Sequence, residues 1–302
     1  MSELTDIKAE LQHFTEKSDL RGAWVLACQW LTTIGIFLVM AWWPNPLTII
    51  VGAVLLGGRQ LGFFVLTHEA GHRTLFKTQR WNELTSRWLT SPVDFFNGDA
   101  YMREHLIHHQ AAGTDQDPDL ANYADYPISR ERMQRKLTRD LTGRTGMRNL
   151  LATYKAIWHL NEQTQENRAA LVRGLVVNLF MLAAMIAAGY GWLYLVWLAA
   201  LVFTYPAIIR IRQIAEHAAV PDLQSDDPRL NTRTTLAHPL MRLVICPHGV
   251  NYHVEHHLLA SIPIYRLSDA HNHLKSLGYF EGIAVSRGYG EVMREVVQPA
   301  TA

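Results

Sequence analysis

Two stretches, His105-Leu106-Ile107-His108-His109 and His253-Val254-Glu255-His256-His257, share the pattern H-x-x-H-H. On a helix, positions i, i+3 and i+4 share one face, so each stretch can aim three imidazoles at one point. A third cluster, His68-Glu69-Ala70-Gly71-His72, places two more at i and i+4. Neutral imidazole is the commonest side-chain metal ligand and adds no charge to a site. With 15 His in 302 residues, chance supplies roughly 0.04 copies of H-x-x-H-H, so two copies demand a reason.

The ligand count sets the kind of site. The clusters supply His68, His72, His105, His108, His109, His253, His256 and His257, and His217, just past a long apolar stretch, makes a ninth. One zinc ion takes about four ligands. This set therefore approaches two metal sites with open positions for O₂. The two cysteines, Cys28 and Cys246, form no C-x-x-C, which argues against iron–sulfur and thiolate-zinc centres. A ligating His usually passes its other N–H to a carboxylate or carbonyl. Asp117, flanked by Asp115 and Asp119, and Glu216, together with Glu69 and Glu255, are placed for that role. Gln213 and Asn251 are candidates to ligate, or to hydrogen-bond a metal-bound water. His13, His159, His238, His248, His271 and His273 share no helical face with a cluster and read as bystanders.

The elements that position these residues are membrane helices. Charged residues make up only 18% of the chain and hydrophobic ones 49%, against about 25% charged in a soluble domain. The net charge of +1 gives no field to favour nucleic acid. Residues 22–43, 47–67, 170–188 and 192–209 are long and apolar enough to cross about 30 Å of hydrocarbon. They form two hairpins with uncharged turns. Arg59 and Gln60 lie inside the second span and should face the bundle interior, either lining a channel or snorkelling. Residues 81–96 are amphipathic and too short to span, so they should be interfacial or re-entrant. Segment 115–168 is rich in Arg and Lys and reads as cytoplasmic, with two helices around Gly143 and Gly146.

The expectation is therefore an all-α integral membrane protein, multi-pass, with four transmembrane helices and a cytoplasmic helical cap carrying a histidine-rich dimetal site. It forms a single domain over 1–302. Residues 1–21 are an N-terminal helix, 22–67 the first hairpin, and 68–168 carry the first two histidine clusters. Residues 169–209 are the second hairpin, and 210–302 a polar segment with the third cluster. Both termini and the site lie on the cytoplasmic side, at the inner membrane if the cell is bacterial. The first twenty residues show no cleavable signal.

HEAGH at 68–72, HLIHH at 105–109 and NYHVEHH at 251–257 resemble the three histidine boxes of the membrane-bound fatty acid desaturase and hydroxylase superfamily, over roughly residues 25–280. The resemblance implies a di-iron centre held by the box histidines, with His217 as the ninth ligand and Gln213 where some members put an amide near the metal. It implies O₂ as co-substrate, a lipid or acyl substrate, and an external electron donor of ferredoxin, rubredoxin or cytochrome b5 type with its reductase. Members remove hydrogen from an unactivated C–H bond. Losing a second hydrogen gives a double bond, and returning oxygen gives an alcohol. Acyl-chain desaturation is the favoured outcome, with a hydroxylase or ketolase acting on a lipid or carotenoid as the alternative.

Two rivals use the same residues differently. His68-Glu69-x-x-His72 matches the H-E-x-x-H of zinc peptidases, with Glu69 as general base. That reading leaves two H-x-x-H-H boxes without work. A non-catalytic metal carrier would need ligands near the bilayer midplane, not beyond the ends of the spans.

Overall fold

Long apolar runs dictate the frame. The computed structural model describes residues 3–281, 283 and 285–298; the chain ends, whose sidedness is among the expectations above, lie outside them. Four helices, Asp19–Trp42, Pro46–Gly71, Gln165–Ala187 and Trp192–His217, have mean hydropathies of 1.8 to 2.1 and the length to cross a membrane. The first begins three residues before its apolar run, because Ser18 caps Arg21 N. The second begins at Asn45, whose side chain accepts from Leu47 N and Thr48 N, with Pro46 at the first position. It continues unbroken to Gly71, so His68 sits on its last turn. The fourth span continues to His217. It widens into a π turn at Ala200–Thr204, just ahead of Pro206, which lacks the N–H that would close the regular ladder.

Two short segments dip between the spans. The first is the amphipathic stretch after the second span, and the structure makes it re-entrant. A π turn at Thr85–Thr90 leads into a short 3₁₀ turn at Ser91–Asp94. Val93 is buried with Leu56, Phe63 and Trp197. Irregular backbone at membrane depth needs protein partners. Asn178 Nδ2 donates to Pro92 O at 2.9 Å, and Trp197 Nε1 to Val93 O at 3.4 Å.

The second dip lies in 210–302, which the sequence presents as a polar segment. The helix Pro239–Val244 packs along the second span. Arg59, three turns or about 18 Å before Gly71, reaches it. Arg59 Nη2 donates to Arg242 O at 3.2 Å and Leu243 O at 2.7 Å, and Nη1 to Gln29 Oε1 at 3.2 Å. His248 Nε2 lies 3.0 Å from the same Gln29 oxygen. Arg59 thus neither snorkels nor lines a channel: it satisfies carbonyls that lipid cannot. Gln60 Nε2 donates to Trp197 O at 3.0 Å.

The cap closes over the ends of the second and fourth spans. Ile7, Leu11 and Phe14 of the N-terminal segment bury against Ile264, Leu267 and Leu274. Two short parallel pairs, Ile128–Ser129 with Val297–Gln298 and Thr234–Thr235 with Val285–Ser286, tie the C-terminal segment back to the cap. Helices Arg130–Leu141 and Arg144–Trp158 flank Gly143, at φ 79°. Buried Asp140 pairs there with Arg210 of the fourth span.

Candidate metal centre

The nine histidines of the three boxes and the fourth span converge, but not as three points. His68, His72, His105, His109 and His256 each place a ring nitrogen within 4.8 Å of the others, and His108, His217, His253 and His257 do the same. Each H-x-x-H-H box is split, which corrects the expectation that its three rings share one target. At about 100° per residue, i and i+4 lie about 40° apart, whereas i+3 falls about 60° to the other side of i. His105 and His109 therefore turn one way and His108 the other. His253 and His257 face the group of His108, and His256 faces the group of His105. The two box helices exchange ligands crosswise.

The ring nitrogens fit cations better than one another. His105 Nε2 lies 2.8 Å from His68 Nε2, 3.1 Å from His72 Nε2 and 3.0 Å from His109 Nε2. One imidazole nitrogen carries either a single N–H or a single lone pair, so it cannot hydrogen-bond to three others. His109 Nε2 is also 3.0 Å from His256 Nε2, and His253 Nε2 is 2.9 Å from His217 Nε2. His257 Nε2 is buried without a hydrogen-bond partner. Converging lone pairs and this orphaned nitrogen are what a bound cation would resolve. Burial keeps the rings neutral, as ligation requires: it pushes His72 down to about 4. Burial and then neighbouring imidazoles push His105, His253, His256 and His257 well below their ordinary value.

Partners on the far side of the rings select the tautomer. His108 Nδ1 lies 2.8 Å from Asp117 Oδ1, and Tyr123 donates its hydroxyl to the other Asp117 oxygen. Burial opposes ionisation of Asp117, yet His108 and Tyr123 hold its carboxyl below its ordinary value. His217 Nδ1 donates to Asn231 O at 3.2 Å. Both rings therefore turn Nε2 lone pairs inward. Glu216 Oε1 lies 2.6 Å from Arg212 Nε and 3.6 Å from His253 Nδ1.

Other candidates are placed elsewhere. Asn251 Nδ2 donates to Thr235 O at 2.9 Å, and its backbone carbonyl accepts from Thr235 N at 3.0 Å, so it pins the strand beside the third box. Glu255 turns away from the rings toward His271 and Thr234. Asp115 is taken by Gln224. Glu69 accepts from Thr74 Oγ1 at 2.9 Å and Ile264 N at 3.0 Å, 3.5 Å behind His68 Nδ1. A general base would have to face the open side of the site, so this geometry removes the peptidase reading. Among the described residues, none of the six bystander histidines joins either group.

Gln213 lies between two cavities. A small cavity of about 70 Å³ is lined by His105, His108, His217 and His253, and a larger one of about 490 Å³ runs among the re-entrant turn, the fourth span and helix Arg144–Trp158. Phe64, Tyr101, Asp119 and Gln213 border both. Sequence reasoning missed three contributors. Asn231 acts through its backbone, which leaves no sequence signal. Tyr123 reaches Asp117 only because the loop folds back. Asp94 lines the large cavity; a lone acid inside SPVDFF was the available signal.

Asp117→Ala should weaken metal retention about 10–100-fold, since it frees the His108 tautomer. Metal remaining after dialysis against graded chelator is the check, and wild-type retention would show that Asp117 does not orient His108.

The fatty acid desaturase family model matches residues 40–289. A curated relative named dihydrorhizobitoxine desaturase, from Bradyrhizobium elkanii, is 25% identical over 77% of this chain and 68% of its own length. Beta-carotene ketolases of two Paracoccus strains, N81106 / MBIC 01143 and PC1, are 24% and 23% identical over 74% of this chain and 79% of theirs. With three of the four membrane-length helices and both histidine groups inside the matched region, the chain belongs to the fatty acid desaturase family.

Proposed function

We propose that this chain is a di-iron membrane enzyme that uses O₂ and electrons from an outside donor to introduce a double bond into a long acyl chain. Family membership makes it an oxidoreductase of desaturase or oxygenase type. The irons, the acyl substrate, the ferredoxin-, rubredoxin- or cytochrome b5-type donor and the cytoplasmic placement of the site are the proposal. The observation that carries it is the crosswise pair of imidazole groups, with a small cavity against them that shares Phe64, Tyr101, Asp119 and Gln213 with a larger one inside the helix bundle.

His68, His72, His105, His109 and His256 would hold one iron, and His108, His217, His253 and His257 the other. Bound there, the pair would supply O₂ activation and hydrogen abstraction. The protein's own residues do the rest. Asp117 and the Asn231 carbonyl fix ring orientation. Phe64 and Tyr101 stand between the two cavities and would admit only a slender chain to the rings, and Gln213 offers an amide at the same point. Oxygen insertion is a second reading, supported by the two ketolase relatives.

Expression with a donor system in a host of known lipid composition, followed by mass spectrometry, separates the outcomes. Desaturation removes two hydrogens from a lipid and hydroxylation adds one oxygen atom. An unchanged lipid and pigment profile with a working donor would contradict both.

A further inference from the structure

We propose that Asp94 anchors the substrate, and that the substrate carries an amine or hydroxyl group that donates hydrogen bonds to this carboxylate. The inference deepens the reading above and rests on the large cavity being the route to the histidine groups. Asp94 ends the re-entrant turn, one residue after Val93, whose carbonyl meets Trp197 in the middle of the bundle. Its side chain lines the cavity together with Thr90, Ser91 and Tyr205. An ionisable group at that depth costs stability and normally faces a partner or a pathway.

No partner is supplied by the protein. Asp94 Oδ1 is buried with no hydrogen-bond partner, and among the described residues no hydrogen bond or ion pair reaches the carboxylate. Arg210, the cation on the cavity wall, is engaged with Asp140. The hydroxyls of the same turn give their protons to backbone or to one another: Ser91 to Ser86 O, Thr90 to Thr85 O, and Thr67 to Phe63 O or Thr90. The re-entrant wall thus presents acceptors, and unengaged donors of the cavity, among them the Tyr205 hydroxyl and the Asn149 amide, stand on its other walls. A purely hydrocarbon ligand would seal an unpaired acid group against apolar atoms, which is unfavourable even for its neutral form. A ligand with an amine or hydroxyl there relieves that cost, and its chain then points past Phe64, Tyr101 and Gln213.

The test is equilibrium binding of radiolabelled n-octylamine, 1-octanol and octanoate to the detergent-solubilised, metal-loaded protein, as wild type and as Asp94→Leu. Subtracting the variant cancels partition into detergent. The amine or the alcohol should bind wild type about tenfold tighter than octanoate, and Asp94→Leu should lose that preference. Without ligand, Asp94→Leu should melt above wild type, because an orphaned carboxylate has been removed; a merely structural Asp94 would give a lower melting temperature. Equal binding of the three probes by wild type, a preference that survives in the variant, or a lower melting temperature would each overturn the proposal. Metal content of the same samples reports separately on the histidine centre, so the two readings fail independently.

Discussion

His253→Ala should abolish turnover, by about 10³-fold or more, while the protein still inserts and folds. His253 belongs to the smaller group, with His108, His217 and His257. Its loss leaves three protein nitrogens around one cation and none in reserve. His72→Ala, by contrast, removes one of five rings, and His72, like His109, is only partly buried. The expected order is therefore near-complete loss of one metal in His253→Ala and partial retention in His72→Ala. Metal analysis of both variants beside wild type checks it. Because the boxes exchange ligands crosswise, the His253 variant should keep the metal of the other group, to which its own helix still contributes His256. Equal losses in the two variants would contradict the division into five and four.

Gly58→Val should be among the most damaging substitutions away from the rings. A Cβ at Gly58 would stand 2.5 Å from Leu243 O and 2.6 Å from Val244 Cα, both backbone atoms that cannot rotate aside. The second dip would have to leave the span. Overpacking of this kind costs about 1–3 kcal/mol, and here it also breaks the bonds from Arg59 to the carbonyls of residues 242 and 243. Those carbonyls would then lack partners at membrane depth, at about 1–3 kcal/mol each. Since the third box begins at His253, soon after this segment, displacement should also scatter His253, His256 and His257. The expected result is a protein that inserts its spans, melts at clearly lower temperature and retains little metal. Wild-type melting and metal content would mean that the Pro239–Val244 helix is not held where the structure places it.

What could be read from sequence divides along physical lines. The spans were legible because hydrocarbon thickness imposes a length and an apolar composition, and the fourth could be followed to His217. The boxes were legible because i, i+3 and i+4 spacing is local. Their sorting into two groups was not, because it depends on how the helix of His105–His109 faces that of His253–Leu258, a relation fixed only by the packing of the cap. The second dip was missed for a related reason: PLMRLV at 239–244 is too short to register as a membrane segment, and its depth is set by Arg59, whose partners are carbonyls that any sequence would provide. Arg59 itself was correctly assigned to the interior, but its work was not visible. The bond from the Asn251 amide nitrogen to Thr235 O was not visible either, because its acceptor is a backbone carbonyl.

The central claim is that two groups of imidazoles hold two irons, and it is tested most directly by quantitative metal analysis combined with Mössbauer spectroscopy on protein produced with ⁵⁷Fe. Two irons per chain, magnetically coupled to each other, is the expected result. A single zinc, or iron confined to one isolated centre, would contradict it.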